Sequence, residues 1–211
     1  MVIESIHMAM DGMIFFEIAV TMERVFFSLL ISSLVGIPVA IALGYYSRFY
    51  QVVGKVFDFL RSIPPIVVYP LLLIVLGPGD ESRIGVAVFG STIILILIIA
   101  KGLSQQSHLR RQFSKAHGAS RTHIMVHTVF FEALPHIMVG LRTAVSLSII
   151  VVIVTEMLVG AKYGLGTRVQ NVQITNNIPD LFATIIIIGL IGILLNSAFI
   201  WFDKKFVFWR S

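Results

Sequence analysis

Residues 133–155 carry a single charge, Arg142, and Glu156 follows at once. Fourteen residues along a helix are about 21 Å, so these two side chains cannot pair with each other. A charge near a bilayer centre costs about 2.5–3.5 kcal/mol on insertion scales, so each needs a substrate route or a partner on another helix. Each also stands towards an end of the apolar run, so Arg142 could snorkel to one surface and Glu156 reach water at the other. Three prolines fall within nine residues after Arg61, namely Pro64, Pro65 and Pro70. Proline removes a backbone donor and breaks the helical ladder. Such backbone at membrane depth is tolerated only when it is buried in protein or lines a cavity. Alternatively, a helix simply starts at Pro65, with the prolines at its entrance. Pro64, Pro65, Arg142, Ser146 and Glu156 are the residues expected beside a translocation pathway. His123 and His127 share one helical face, but no carboxylate or cysteine joins them before Glu132. Zinc usually takes three or four protein ligands, so no metal site is expected. The sequence has no phosphate-binding GxxxxGK[ST] loop, no HExxH and no GxSxG. Without those constellations the chain is expected to be no enzyme and to bind no cofactor.

The elements that hold these residues follow from composition. The chain has 211 residues, no cysteine, 57% hydrophobic residues and 13% charged ones. Soluble domains carry about 25% charged residues. A disulfide-stapled module is excluded, and so is a disordered chain. The net charge of +5 reads as membrane topology rather than nucleic-acid binding. Crossing the hydrocarbon takes about 20 mostly apolar residues. Five stretches qualify: 25–47, 62–79, 84–100, 133–155 and 181–202. Runs such as Thr92–Ala100 do not alternate polar and apolar residues, which excludes a barrel. The expected fold is an all-α integral membrane protein, one transmembrane domain over 1–211.

Charge orders the loops. One side, 48–61, 101–131 and 203–211, holds 11 basic residues against Asp58 and Asp203. The other, 1–24, 78–83 and 160–180, holds Arg24, Arg83, Lys162 and Arg168 against seven acids. The positive-inside rule makes the first side cytoplasmic, with the N-terminus outside and the C-terminus in the cytoplasm. The first 24 residues carry four acids and no basic leader, so no cleavable signal is expected. Residues 1–23 read as an amphipathic segment lying on the outer face. Trp201 and Trp209 suit interfacial anchoring. Residues 101–131 contain five basic residues and no acid. There, His117-Gly118-Ala119-Ser120 supplies a break. Gly118 suits a left-handed position after a helix, and Ser120 suits the cap of a following one. This predicts helix, sharp turn and helix projecting into the cytoplasm to dock on something.

Gln112-Phe-Ser-Lys-Ala-His-Gly118-Ala-Ser-Arg121, then Glu132-Ala-Leu-Pro135 and Gly140-Leu-Arg142, resemble the coupling loop of bacterial ABC importer permeases. Gly118 stands at the glycine of that loop. Gln112, Phe113 and Ser114 replace its Glu-Ala-Ala, and Thr128, Phe130 and Phe131 replace the Ile, Leu and Pro of its closing motif. Leu60-Arg-Ser-Ile-Pro-Pro65, Tyr69-Pro-Leu-Leu72, Gly77-Pro-Gly-Asp-Glu-Ser82, Thr155-Glu156-Met157 and Gly164-Leu-Gly166 are similar to the nitrate/sulfonate/taurine branch. That branch usually carries an additional N-terminal span. Five spans with the N-terminus outside resemble the type I core of methionine importer permeases.

The resemblance implies a bacterial inner-membrane protein, two permease subunits, identical or homologous, and an external substrate-binding protein. It also implies a cytoplasmic ATPase dimer that holds the ATP and magnesium. Lys115, His117, Gly118, Ala119, Ser120 and Arg121 would dock that ATPase, with the cations facing an acidic surface. Such a loop must bind the two ATPase states differently to move an equilibrium. The branch handles small anions, sulfonates and some vitamin-precursor heterocycles. Two other classes remain open, a stand-alone channel or secondary carrier and a non-transporting scaffold. ATP-dependent uptake separates the first reading from both.

Overall fold

The computed structural model describes residues 12–105, 116, 118, 120, 123 and 128–206. The described chain is helical. Helix α1, Gly12–Tyr45, leads to α2, Ser47–Arg61. A 3-10 turn at Pro65–Val68 enters α3, Tyr69–Leu76, and α4 follows at Asp80–Gln105. Then come α5, Phe130–Val159, α6, Leu165–Ile174, and α7, Ile178–Phe206. Helices α1, α4, α5 and α7 are each long and apolar enough to cross a membrane.

Two expectations need correction. Residues 12–23 do not form a separate surface segment; they are the first turns of α1. No proline or glycine interrupts 13–35. Ile14, Glu17, Thr21 and Arg24, spaced three and four apart, are all buried on one stripe. That stripe packs inward, so the helix has no reason to turn aside. The second predicted span, 62–79, is not one straight helix either. Its chain bends by 86° between α2 and the Pro65–Leu76 stretch. Pro64 and Pro65 cannot donate to the preceding turn, and the residue before a proline avoids the helical region.

Packing defines the directions of the spans. Arg24 bonds Asp80 at the start of α4, while Gly36 lies against Leu95 and Gly44 against Leu103. So α1 and α4 run parallel. Helix α5 runs against both, with Gly140 on Leu95 and Ser148 on Ser91. One core cluster gathers Leu43, Leu95, Ile99, Leu103, Ala133 and Ile137. A second gathers Val25, Val86, Val145, Ile149 and Val152. Between them Ser148 Oγ shares hydrogen bonds with Ser28 Oγ at 3.0 Å and Ser91 Oγ at 2.9 Å. Such small residues let three helices approach closely, and each buried hydroxyl finds a partner. Helix α7 is peripheral and leaves Phe182, Leu190, Ile193 and Leu194 exposed.

Candidate functional site: a pathway face, a buried ion network and a coupling connection

The five residues expected beside a pathway do not form one site. Arg142 and Ser146 lie together on the exposed face of α5, with Val139 and Ile150 above and below them. Arg142 Nε donates to Asn196 Oδ1 of α7 at 2.6 Å, and Ser146 Oγ donates to the Arg142 carbonyl at 3.3 Å. Gly140 packs on Leu95, and Leu95 stands 15 residues, about 23 Å, along α4 from Asp80. Arg142 is therefore inside the roughly 30 Å of hydrocarbon, yet exposed on this chain. An exposed arginine at that depth requires water or another protein surface.

Pro64 and Pro65 sit at the bend. Pro65 packs against Gly90, where an added Cβ would lie 2.8 Å from its ring and 3.4 Å from Leu147. Gly90 is ten residues, about 15 Å, along α4. The prolines are thus at mid-depth, between α4 and α5, rather than at the entrance of a span. A helical turn does start at Pro65, as one of the two alternatives had it, and the break before it packs against α4.

Glu156 is elsewhere. It is fully buried at the Asp80 end of the bundle, away from the Arg142 face. Arg24 Nη1 meets its Oε1 at 2.6 Å, and Thr21 Oγ1 donates to it at 3.0 Å. The Gly166 backbone N–H donates to Oε2 at 2.8 Å. The same Arg24 donates to the Tyr163 carbonyl at 2.9 Å and reaches Asp80 at 2.9 Å. Arg83 bridges Asp80 at 2.8 Å and the Gly160 carbonyl at 3.2 Å. A charge removed from water is tolerable when hydrogen bonds engage it, and the Glu156 carboxylate accepts from Arg24, Thr21 and the Gly166 amide. Gly164, at φ +143°, presses its backbone on the Glu156 carboxylate, and a Cβ on Gly166 would collide with the Ile153 carbonyl. The Gly164-Leu-Gly166 motif thus lets a loop close over a buried acid.

A second network lies alongside. Arg168 reaches Glu17 at 3.2 Å and Asp180 at 3.0 Å. Burial disfavours the Arg168 charge, but the two carboxylates beside it outweigh that and raise its pKa above the usual arginine value. Sequence reasoning missed Thr21, Arg24 and Asn196. Arg24 was the discoverable one, a lone cation in an acid-rich segment with a buried acid to match.

The connection between α4 and α5 is described at four positions between 106 and 127. Gly118 adopts φ +76°, and Ser120 Oγ accepts the His123 backbone N–H at 3.2 Å, the geometry of a helix cap. Lys115, His117, Ala119 and Arg121 lie outside the described residues, as does Trp209. Trp201 is exposed, with Lys205 Nζ 5.0 Å from its ring centre.

Four long apolar helices and one bent pair define a polytopic membrane protein. Residues 32–208 match the family described as the binding-protein-dependent transport system inner membrane component, and the chain belongs to that family. The bicarbonate transport system permease protein CmpB of Synechococcus elongatus is 25% identical, over 92% of this chain and 70% of its own. The nitrate import permease protein NrtB of Synechocystis is 27% identical, over 85% of this chain and 65% of its own. A chain of the MetNI methionine ABC transporter, solved in inward-facing conformations, matches with TM-score 0.81 at 16% identity. That match covers 92% of this chain and 96% of the other. At that identity it speaks for the fold alone. The expected family, its nitrate-type branch and the methionine-permease-like fold therefore hold. The protein is an ABC transporter permease with several membrane-crossing helices.

Proposed function

We propose that the chain is one of two transmembrane subunits of an ATP-driven importer in a bacterial cytoplasmic membrane, and that its cargo is a small anion. The observation that carries this reading is Arg142, exposed within the hydrocarbon depth and held by Asn196 at 2.6 Å. A second permease subunit, identical or homologous, covers the exposed α5 face, and the pathway runs between the two. Arg142 offers its remaining guanidinium donors to an anion there. The names of NrtB and CmpB, with nitrate and bicarbonate as cargo, support the same charge.

The basic end, with Lys101, Lys204 and Lys205, faces the cytoplasm, and the Gly12 end of α1 faces outward. A substrate-binding protein delivers cargo at the outer end. The Gly118 turn sits in a cleft of a cytoplasmic ATPase dimer, which holds the nucleotide and magnesium. Closure of the ATPases moves that turn and switches the pathway. The chain itself supplies no hydrolytic chemistry.

The test is uptake of labelled nitrate and bicarbonate by the complete transporter reconstituted in vesicles. Arg142→Ala is expected to reduce anion uptake about tenfold or more, the scale of a lost charged hydrogen bond. Gly118→Asp is expected to leave insertion intact and abolish ATP-dependent uptake. Asp tolerates the left-handed conformation better than most residues, so the turn survives while its contact surface changes. Unchanged uptake with Arg142→Ala would dismiss the anion route, and unchanged uptake with Gly118→Asp would dismiss the docking turn.

A further inference from the structure

Helix α2 is a third kind of surface. On its wheel, Tyr50, Val53 and Phe57 pack into the core cluster of α4 and α5. Phe49, Val52, Val56 and Phe59 form a neighbouring stripe that is 55–70% exposed. The remaining arc is polar: Gln51, Lys55, Asp58 and Arg61. This is the three-part pattern of a helix lying in a membrane interface. Its height agrees. Lys101 of α4, beside α2, stands 21 residues or about 32 Å from Asp80, one hydrocarbon thickness.

Between α2 and the end of α4 lies a cleft of about 420 Å³, within the size range of ligand sites. Tyr50, Gln51, Asp58, Arg61, Lys101 and Gln105 line it, with Leu97 at its base. Arg61 reaches Asp58 at 3.6 Å, an exposed and loose pair, and Lys101 has no carboxylate partner among the described residues. The cleft therefore keeps one net positive charge. It opens beside an apolar stripe suited to acyl chains.

We propose that this cleft binds the headgroup of an anionic phospholipid, with Arg61 and Lys101 on the phosphate. Gln51 and Gln105 serve the glycerol oxygens, and Asp58 accepts from a headgroup hydroxyl, as phosphatidylglycerol would offer. The acyl chains run along Phe49, Val52, Val56 and Phe59. The lipid fills the right-angled corner below the bend at Pro64 and fixes α2 at the interface. The site rests on the membrane embedding of the family and not on the anion-cargo reading, so failure of the uptake test leaves it standing.

The test uses the full chain purified in mild detergent with its bound subunits, then delipidated. Dioleoylphosphatidylglycerol, dioleoylphosphatidylcholine and inorganic phosphate are titrated separately, and bound molecules are counted by native mass spectrometry. One phosphatidylglycerol per chain is expected, held about fivefold tighter than phosphatidylcholine, for the one net positive charge of the cleft. Arg61→Gln and Lys101→Gln should each lose about fivefold for phosphatidylglycerol, while Lys101→Arg should retain binding. Should Lys101→Gln disturb assembly, Arg61→Gln gives an independent reading, because that side chain is 57% exposed. Equal retention of the two lipids would overturn the proposal. So would Gln variants that bind like the parent, or inorganic phosphate bound as tightly as the lipid.

Discussion

The two ends of the bundle are built on opposite plans. At the Asp80 end, Glu17, Arg24, Asp80, Arg83, Glu156, Arg168 and Asp180 join α1, α4, α5, α6 and α7 through bonds of 2.6–3.2 Å. Glu17, Arg24 and Glu156 among them are buried. At the other end, Arg61 and Asp58 make an exposed contact of 3.6 Å beside an open cleft. Buried pairs in low dielectric interact strongly and resist separation, while exposed pairs are screened and exchange with water. The first end is held in one arrangement. The second has an apolar core around Leu43, Leu103, Ala133 and Ile137.

The largest break in this contrast is expected from Glu156→Ala. It leaves the Arg24 guanidinium buried with one partner fewer, a loss of about 3–5 kcal/mol of the kind seen when one member of a buried pair is deleted. Thermal unfolding of the purified chain should show a large drop in Tm, and the loop over 160–166 should lose amide-exchange protection first. An unchanged Tm would mean the network does not hold this end.

Next comes Gly166→Ala. The added methyl meets the Ile153 carbonyl, which belongs to helix backbone and cannot rotate away. Overpacking of this kind costs about 1–3 kcal/mol. The same readout should place it below Glu156→Ala, and a reversed order would assign the loop's stability to shape rather than charge. The smallest effect is expected at the other end. Asp58→Asn removes an exposed partner of Arg61, and exposed pairs contribute about 0–1 kcal/mol. Its Tm should barely move, and that small shift should vanish at high salt. A shift as large as that of Glu156→Ala would erase the distinction between the ends.

Legibility in the sequence followed interaction range. Charge-free stretches gave the four long spans, because crossing a bilayer is a property of each segment alone. The Gly118 and Ser120 geometry was readable for the same reason, since a turn and a cap are made within a few residues. The break at Pro64–Pro65 was readable as a break but not as a depth. Its position beside Gly90 needs a contact 25 residues away. Residues 12–23 were misjudged because an apolar stripe looks the same whether it faces lipid or another helix. Glu17, Thr21 and Arg24 decide the matter only through Arg168 and Glu156.

The sequence by itself determined that this is a polytopic helical membrane protein with one basic side, and which family it belongs to. Hydropathy, proline and net charge act locally, and they survive any rearrangement of the helices. Only the tertiary structure separated Arg142 from Glu156 in role. Both are lone charges in one apolar helix. One finds Arg24, Thr21 and the Gly166 amide, and is buried. Among the described residues the other finds Asn196 and stays exposed. Whether a charge within a membrane is structural or available to cargo depends on which helices surround it, and that is set by packing across more than a hundred residues of chain.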